Sequence, residues 1–287
     1  MSELATLHPF DPAFVARYVE AVKGHVAPGE VLPQAPAWAA SEIARARRGY
    51  PRVLERQRDE VAANAISYGL ARMLAALEPV YFVPGAGFTQ LEARFDRGIG
   101  MLLRPPSRLF ADAGLEIAAA RAMPIRLDAS GGSMGGAFMP PALVGEFRVH
   151  LEERMERLAR RMAEAELDAP AYVGHLLEVA AYAAERGLGL YEAVDVIVPG
   201  VAESLPPGLR LVQPDRKRLA RDLRARLEAA SRPPREPGLL TRLFTRGRGE
   251  ATREGNPGEK ARVWRGMNDV TPPPDGVEES PRGRSPA

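Results

Sequence analysis

From residue 143 onward the apolar side chains fall into one helical stripe. Leu143, Phe147, Leu151, Met155, Leu158, Met162 and Ala165 recur at spacings of three and four, opposite Glu146, Glu153, Arg154, Glu156, Arg157, Arg160 and Arg161. This predicts an amphipathic helix opened by Pro141 and running to about Leu167, with many of its charges within one turn of an opposite charge. Asp168 and Pro170 supply the cap and first-turn proline of a second helix, Ala171 to Arg186, which Gly187 stops. Leu190 to Val198 reads as a further helical turn or two. Pro214-Asp215 starts a last helix that reaches about Ala230.

The first half follows the same period with more interruptions. Asp11-Pro12 begins a short helix with Phe14, Val15, Tyr18, Val19 and Val22 on its apolar side and Gly24 at its end. Ala27 to Pro36 reads as extended connector, and Trp38 to Arg48 as a helix ended by Gly49. Pro51 then opens the longest apolar helix, to about Leu77; its second half is apolar nearly all round, as a helix surrounded by others would be. Glu78-Pro79 closes it, and Val80 to Val83 is one short strand. Short helices are expected at Thr89–Phe95, Ser107–Asp112 and Leu115–Ala122. Ile125-Arg126-Leu127 reads as a brief strand, and Ser130 to Gly136 as a flexible glycine loop.

The pattern predicts an all-α fold, an irregular multi-helix bundle with little or no strand. Residues 1–231 form its globular domain, and a subdivision near 124–140 is the alternative. Beyond Ser231 the long apolar side chains almost vanish, and 9 of the 27 prolines fall there. Such a segment cannot offset its ordering entropy by burial, so 232–287 reads as a disordered Pro/Arg-rich tail.

Composition narrows the function classes. The chain has no cysteine, which excludes disulfides, thiolate catalysis and cysteine-ligated metal centres. Hydrophobic residues make up 45%, enough for a real core, and the net charge is only +2, low for a protein that coats nucleic acid. Nearly all the cations are arginine, the lysines being Lys23, Lys217 and Lys260. The bland reading is codon composition; the functional one is bidentate anion recognition. The N-terminus shows no secretory pattern, and the most apolar run, Val61 to Leu77, is interrupted by Asn64, Ser67 and Arg72. These features place the chain in the cytoplasm, with a peripheral position at the inner face of the membrane left open.

Candidate chemistry is sparse. His150 with Glu153 and His175 with Glu178 each place an imidazole and a carboxylate on one helical face, yet di-metal bundles use the reverse order and need further carboxylates. No metal, cofactor or catalytic residue is assigned. The glycines of the Ser130–Gly136 loop would let backbone N–H groups converge on an anion, although the Lys-Ser/Thr ending of a P-loop is missing. An arginine cluster lies upstream. Arg97, Arg104, Arg108 and Arg126, with Gly131 and Gly132 of the loop, form the candidate small-anion site, set against surface salt bridges as the plainer reading.

The strongest local signal is electrostatic. Between Pro214 and Arg248 eleven positive residues stand against four negative ones. Arg221 and Arg224 precede a short amphipathic stretch in which Leu240, Leu243 and Phe244 sit beside Arg242 and Arg246. That segment suits docking to a protein partner, and also an anionic membrane surface or nucleic acid. The sequence therefore points to a cytoplasmic, non-enzymatic scaffold or adaptor with a basic amphipathic C-terminal contact segment. The alternatives are an enzyme or small-anion-binding protein using the arginine cluster, and nucleic-acid or membrane-surface binding through 214–248.

Overall fold

The computed structural model describes residues 4–32, 37–55, 59–84, 87–123, 135–194, 196–197 and 208–231, and the structural statements below refer to these. They all fall in one unit, Met1–Pro233; a second unit, Pro234–Ala287, lies outside the described residues. The proposed tail and its contact residues Leu240, Arg242, Leu243, Phe244 and Arg246 lie outside as well.

The expectation of an all-α bundle is overturned by a five-stranded mixed sheet in the order β3-β4-β1-β2-β5. Its strands are β1 (Leu4–Phe10), β2 (Val80–Pro84), β3 (Gly135–Met139), β4 (Gly189–Val194) and β5 (Leu211–Val212). β1 pairs antiparallel with both β2 and β4, β4 pairs antiparallel with β3, and β5 joins β2 in parallel. Of the span expected to be helical at Leu190–Val198, residues Leu190–Val194 are strand. All six residues of β4 are buried. A strand covered on both faces loses the polar–apolar alternation that would reveal it, and six apolar-dominated residues fit a buried helix turn equally well.

Helices cover both faces. The described helices are α1 (Pro12–Lys23), α2 (Pro28–Val31), α3 (Ala37–Glu55), α4 (Glu60–Leu77), α5 (Phe88–Gln90), α6 (Pro106–Asp112), α7 (Ile117–Ala120), α8 (Pro141–Glu164), α9 (Ala169–Arg186) and α10 (Arg216–Ser231). A π-helical turn, Leu91–Phe95, extends α5, and a 3-10 turn follows at Arg97–Met101. Residues from α1 to α4, α6 and α7 pack with Phe10, Val80, Phe138, Tyr191 and Ala193 on one side of the sheet. Residues from α5, α8 and α9 pack with Leu7, Tyr81, Val83, Met139 and Leu190 on the other. The result is three layers, helices on both faces of a mixed sheet.

Several local readings hold, for the reasons given. Asp11 and Asp168 cap α1 and α9 by accepting the Ala13 and Ala171 backbone N–H groups, and Gly24 and Gly187 end those helices in the left-handed conformation. The α3–α4 boundary is corrected. Gly49 does not stop α3 and Pro51 does not open a new helix, because both lie inside α3. A Cβ on Gly49 would stand 3.0 Å from the Ala62 carbonyl oxygen, so this glycine serves close helix packing, and Asp59 caps α4 instead. The connector after Ala27 contains the four-residue α2, and the last two glycines of the Ser130–Gly136 loop belong to β3.

Candidate functional site

The most unusual side chain is Glu192, at the middle of β4. Its register partner on β1 is Leu7, so it points into the helical layer of α5, α8 and α9, where it is completely buried. The Thr89 hydroxyl donates to its Oε2 at 2.7 Å and the Ala137 N–H to the same oxygen at 3.1 Å. The Thr89 N–H reaches Oε1 at 3.4 Å, and the Phe88 N–H also donates to the carboxylate. Two glycines make room for it. A Cβ on either Gly87 or Gly136 would overlap the Glu192 carboxyl group. Burial pushes this carboxyl above its ordinary range, and the four donors only partly oppose that rise.

The glycine loop was read as a cradle for an anion. Its described end, Gly136, packs against the chain's own Glu192 carboxyl group, while Gly131 and Gly132 lie outside the described residues. Glu192 ties β4 to β3 through Ala137 and to the start of α5 through Phe88 and Thr89, and it lines neither of the clefts described below. It works as an internal staple.

The other face of the same strands carries a second buried polar group. Thr6 and His8 on β1 lie opposite Ala193 and Tyr191 on β4, and all four are fully buried. The Thr6 hydroxyl donates to the Ala193 carbonyl at 3.2 Å, which leaves its oxygen to accept from His8 Nε2 at 2.9 Å. That chain fixes the Nε2–H tautomer. Burial drives the His8 pKa down to about 3, so the ring stays neutral.

A third cluster clasps the 3-10 turn to α8. Asp96 is buried and accepts from the Gly98 N–H at 3.0 Å, from His150 Nε2 at 3.0 Å and from Arg154 Nη1 at 3.2 Å. Burial alone would raise its pKa, but the Gly98 N–H, His150 and Arg154 together hold the carboxyl below its ordinary range. About two turns beyond Arg154 along α8, Arg161 donates to the Phe95 and Arg94 carbonyls. His150 thus pairs with Asp96, a residue remote in sequence, rather than with Glu153. His175 is buried and donates from Nδ1 to Glu178 at 3.2 Å. Among the described residues no three His, Asp or Glu side chains group as a metal site.

The candidate anion residues are divided among separate tasks. Arg97 is exposed. Arg104 donates to the Met101 and Leu103 carbonyls at 2.8 Å each. Arg108 pairs with Asp112 one turn along α6 at 2.9 Å. Arg126, Gly131 and Gly132 lie outside the described residues. Arg221 and Arg224 are exposed on α10. What the sequence reading missed is the set of buried polar groups, Thr6, His8, Asp96 and Glu192. For Thr6, His8 and Glu192 the signal was a polar residue inside a short apolar run, whereas Asp96 stands in the charged stretch Arg94-Phe95-Asp96-Arg97 and its burial had no local signal.

These features define a three-layer α/β protein whose buried acids serve its own architecture. No family model, curated protein or solved structure matches this chain.

Proposed function

We propose that the protein is a non-catalytic scaffold or adaptor that engages an acidic surface of a protein partner through the outer face of α10. One observation carries this reading. Lys217, Arg221 and Arg224 recur at spacings of four and three, are exposed, and have no ion pair with a described residue. The other cations of α10 are engaged. Arg218 pairs with Glu178 on α9, Arg216 with Asp168 at 3.4 Å and Arg226 with Glu152 at 3.7 Å. Leu219 and Leu223 bury the opposite side. The unpaired stripe therefore faces away from the core, where it raises association rate and selects acidic partners.

The buried ionisable groups support the non-catalytic part, since Asp96 and Glu192 have their lone pairs taken by internal donors. No described helix is long and apolar enough to cross a membrane. The same reading sets the protein in the cytoplasm, where both acidic proteins and an anionic membrane face are within reach of such a stripe.

The test is binding of the full chain to polyglutamate, to phosphatidylserine vesicles and to a short DNA duplex, each compared with the variant Lys217→Glu/Arg221→Glu/Arg224→Glu. Saturable binding to polyglutamate that the triple variant loses is the expected result. Binding to vesicles or DNA alone would replace this reading with the membrane or nucleic-acid one. In the DNA case affinity would fall steeply with salt.

A further inference from the structure

A cleft of about 500 Å³ opens between α3 and α4, lined by Arg45, Arg48, Arg52, Asn64, Tyr68 and a floor that includes Gly49 and Ala62. Its volume lies in the range of small-molecule sites. Three arginines at spacings of three and four stand on one side of α3, about 4.5 Å and 6 Å apart along the axis.

Their states differ in a way that matters for binding. Arg45 is tied to Glu42 and lies 4.7 Å over the Tyr68 ring; Arg52 is tied to Asp59 at 2.7 Å. Both guanidinium groups are held in place, and each keeps N–H donors beyond those its carboxylate accepts. Arg48, between them, is exposed and has no ion pair among the described residues. It supplies an uncompensated charge. Across the cleft the half-buried Asn64 lines the α4 wall, where its amide adds a neutral hydrogen-bonding group to the arginines opposite. The Gly49–Ala62 contact leaves the floor little room to shift.

A second cleft, of about 310 Å³ between α8, α9 and α10, offers a contrast. Its arginines Arg148, Arg218 and Arg226 all pair with the carboxylates that line it, Glu152, Glu178 and Asp222. It is neutralised from within, whereas the α3–α4 cleft is not.

We propose that the α3–α4 cleft binds a small phosphate ester carrying hydroxyl groups, the chemistry shared by sugar phosphates and nucleotides. A tetrahedral phosphate accepts hydrogen bonds from several directions, so guanidinium groups on successive turns can reach it together. A planar carboxylate matches one fork at a time. The ester's hydroxyl groups suit the neutral Asn64 amide on the α4 wall and the N–H donors that Arg45 and Arg52 keep free.

The experiment is calorimetric titration of the full chain with ribose 5-phosphate, AMP, inorganic phosphate and citrate. Saturable binding of ribose 5-phosphate and AMP is expected, with phosphate and citrate weaker. Arg48→Gln should weaken the esters by about tenfold or more, the loss of one charge-assisted contact. Arg108→Gln, remote from the cleft, should leave binding unchanged, and both variants should keep the wild-type thermal midpoint. AMP binding more tightly than ribose 5-phosphate would mark a nucleotide site, and equal affinities a sugar phosphate site. No saturable binding, citrate as good as the esters, or an Arg48→Gln variant that binds as wild type would each overturn the proposal.

Discussion

Gly136 on β3 brings its backbone against the buried carboxylate of Glu192 on β4, so closely that a methyl group at Gly136 would overlap it. The two residues are separated by the whole α8–α9 hairpin in sequence. Gly136→Ala must therefore displace the carboxylate, the strand or both, and should cost about 2–4 kcal/mol, the range for forced overpacking with a broken buried hydrogen bond. Urea denaturation of the variant measures it. A stability within error of wild type would mean that the staple is not formed.

The charge of Glu192 gives that staple a pH signature. Its carboxyl is raised above the ordinary value in the folded chain, so the folded state holds the proton where the unfolded state has released it. The contribution to stability is fully present below the unfolded value and declines as pH rises through the folded one. Glu192→Gln should remove this decline. It also faces an amide NH2 toward backbone donors, so it should be less stable than wild type at neutral pH by about 1–3 kcal/mol. Parallel denaturation series across weakly acidic and neutral pH separate the two effects.

His8 acts in the opposite direction. Its folded pKa of about 3 lies far below the ordinary histidine value of 6.5, so protonation favours the unfolded chain. Stability from this residue is complete above the unfolded value and falls with acidification by about 1.4 kcal/mol per pH unit until the folded pKa is reached. His8→Gln should flatten the acid limb between those limits. An unchanged limb would show that other groups dominate acid unfolding.

The clasp of Asp96 predicts a local effect. Asp96→Ala removes the acceptor shared by the Gly98 N–H, His150 and Arg154, and should cost about 2–3 kcal/mol. Loss of the restraint on the 3-10 turn should appear as faster amide exchange in Arg97–Met101 than in β1 or β4. Uniform acceleration across the chain would instead point to global destabilisation alone.

Much of the helical framework could be read from the chain because its signals are local. Asp11, Asp168, Gly24 and Gly187 each act on backbone groups within one turn, and the α8 stripe repeats through six turns. The end of α3 could not be read that way. Gly49 looks like a terminator in sequence, yet its role is set by Ala62 on the facing helix. Leu190–Val194 looked helical for a similar reason: both sides of the strand are buried, and no period survives complete burial.

The candidate sites divide along the same line. The basic face of α10 is visible in the spacing of Lys217, Arg221 and Arg224, since helical geometry alone puts them together. The arginine cleft was not, because Arg48 and Asn64 meet only when α3 packs on α4. The sequence by itself determined α1, α8, α9 and α10, the caps of α1 and α9 and the location of excess positive charge, all products of interactions within a few residues. The tertiary structure alone decided that a sheet runs through the centre, that Glu192 and His8 lie inside it, and which arginines remain unpaired. Those outcomes depend on strand pairing, burial and ion pairs between distant segments, and no local pattern encodes which distant partner a residue will meet.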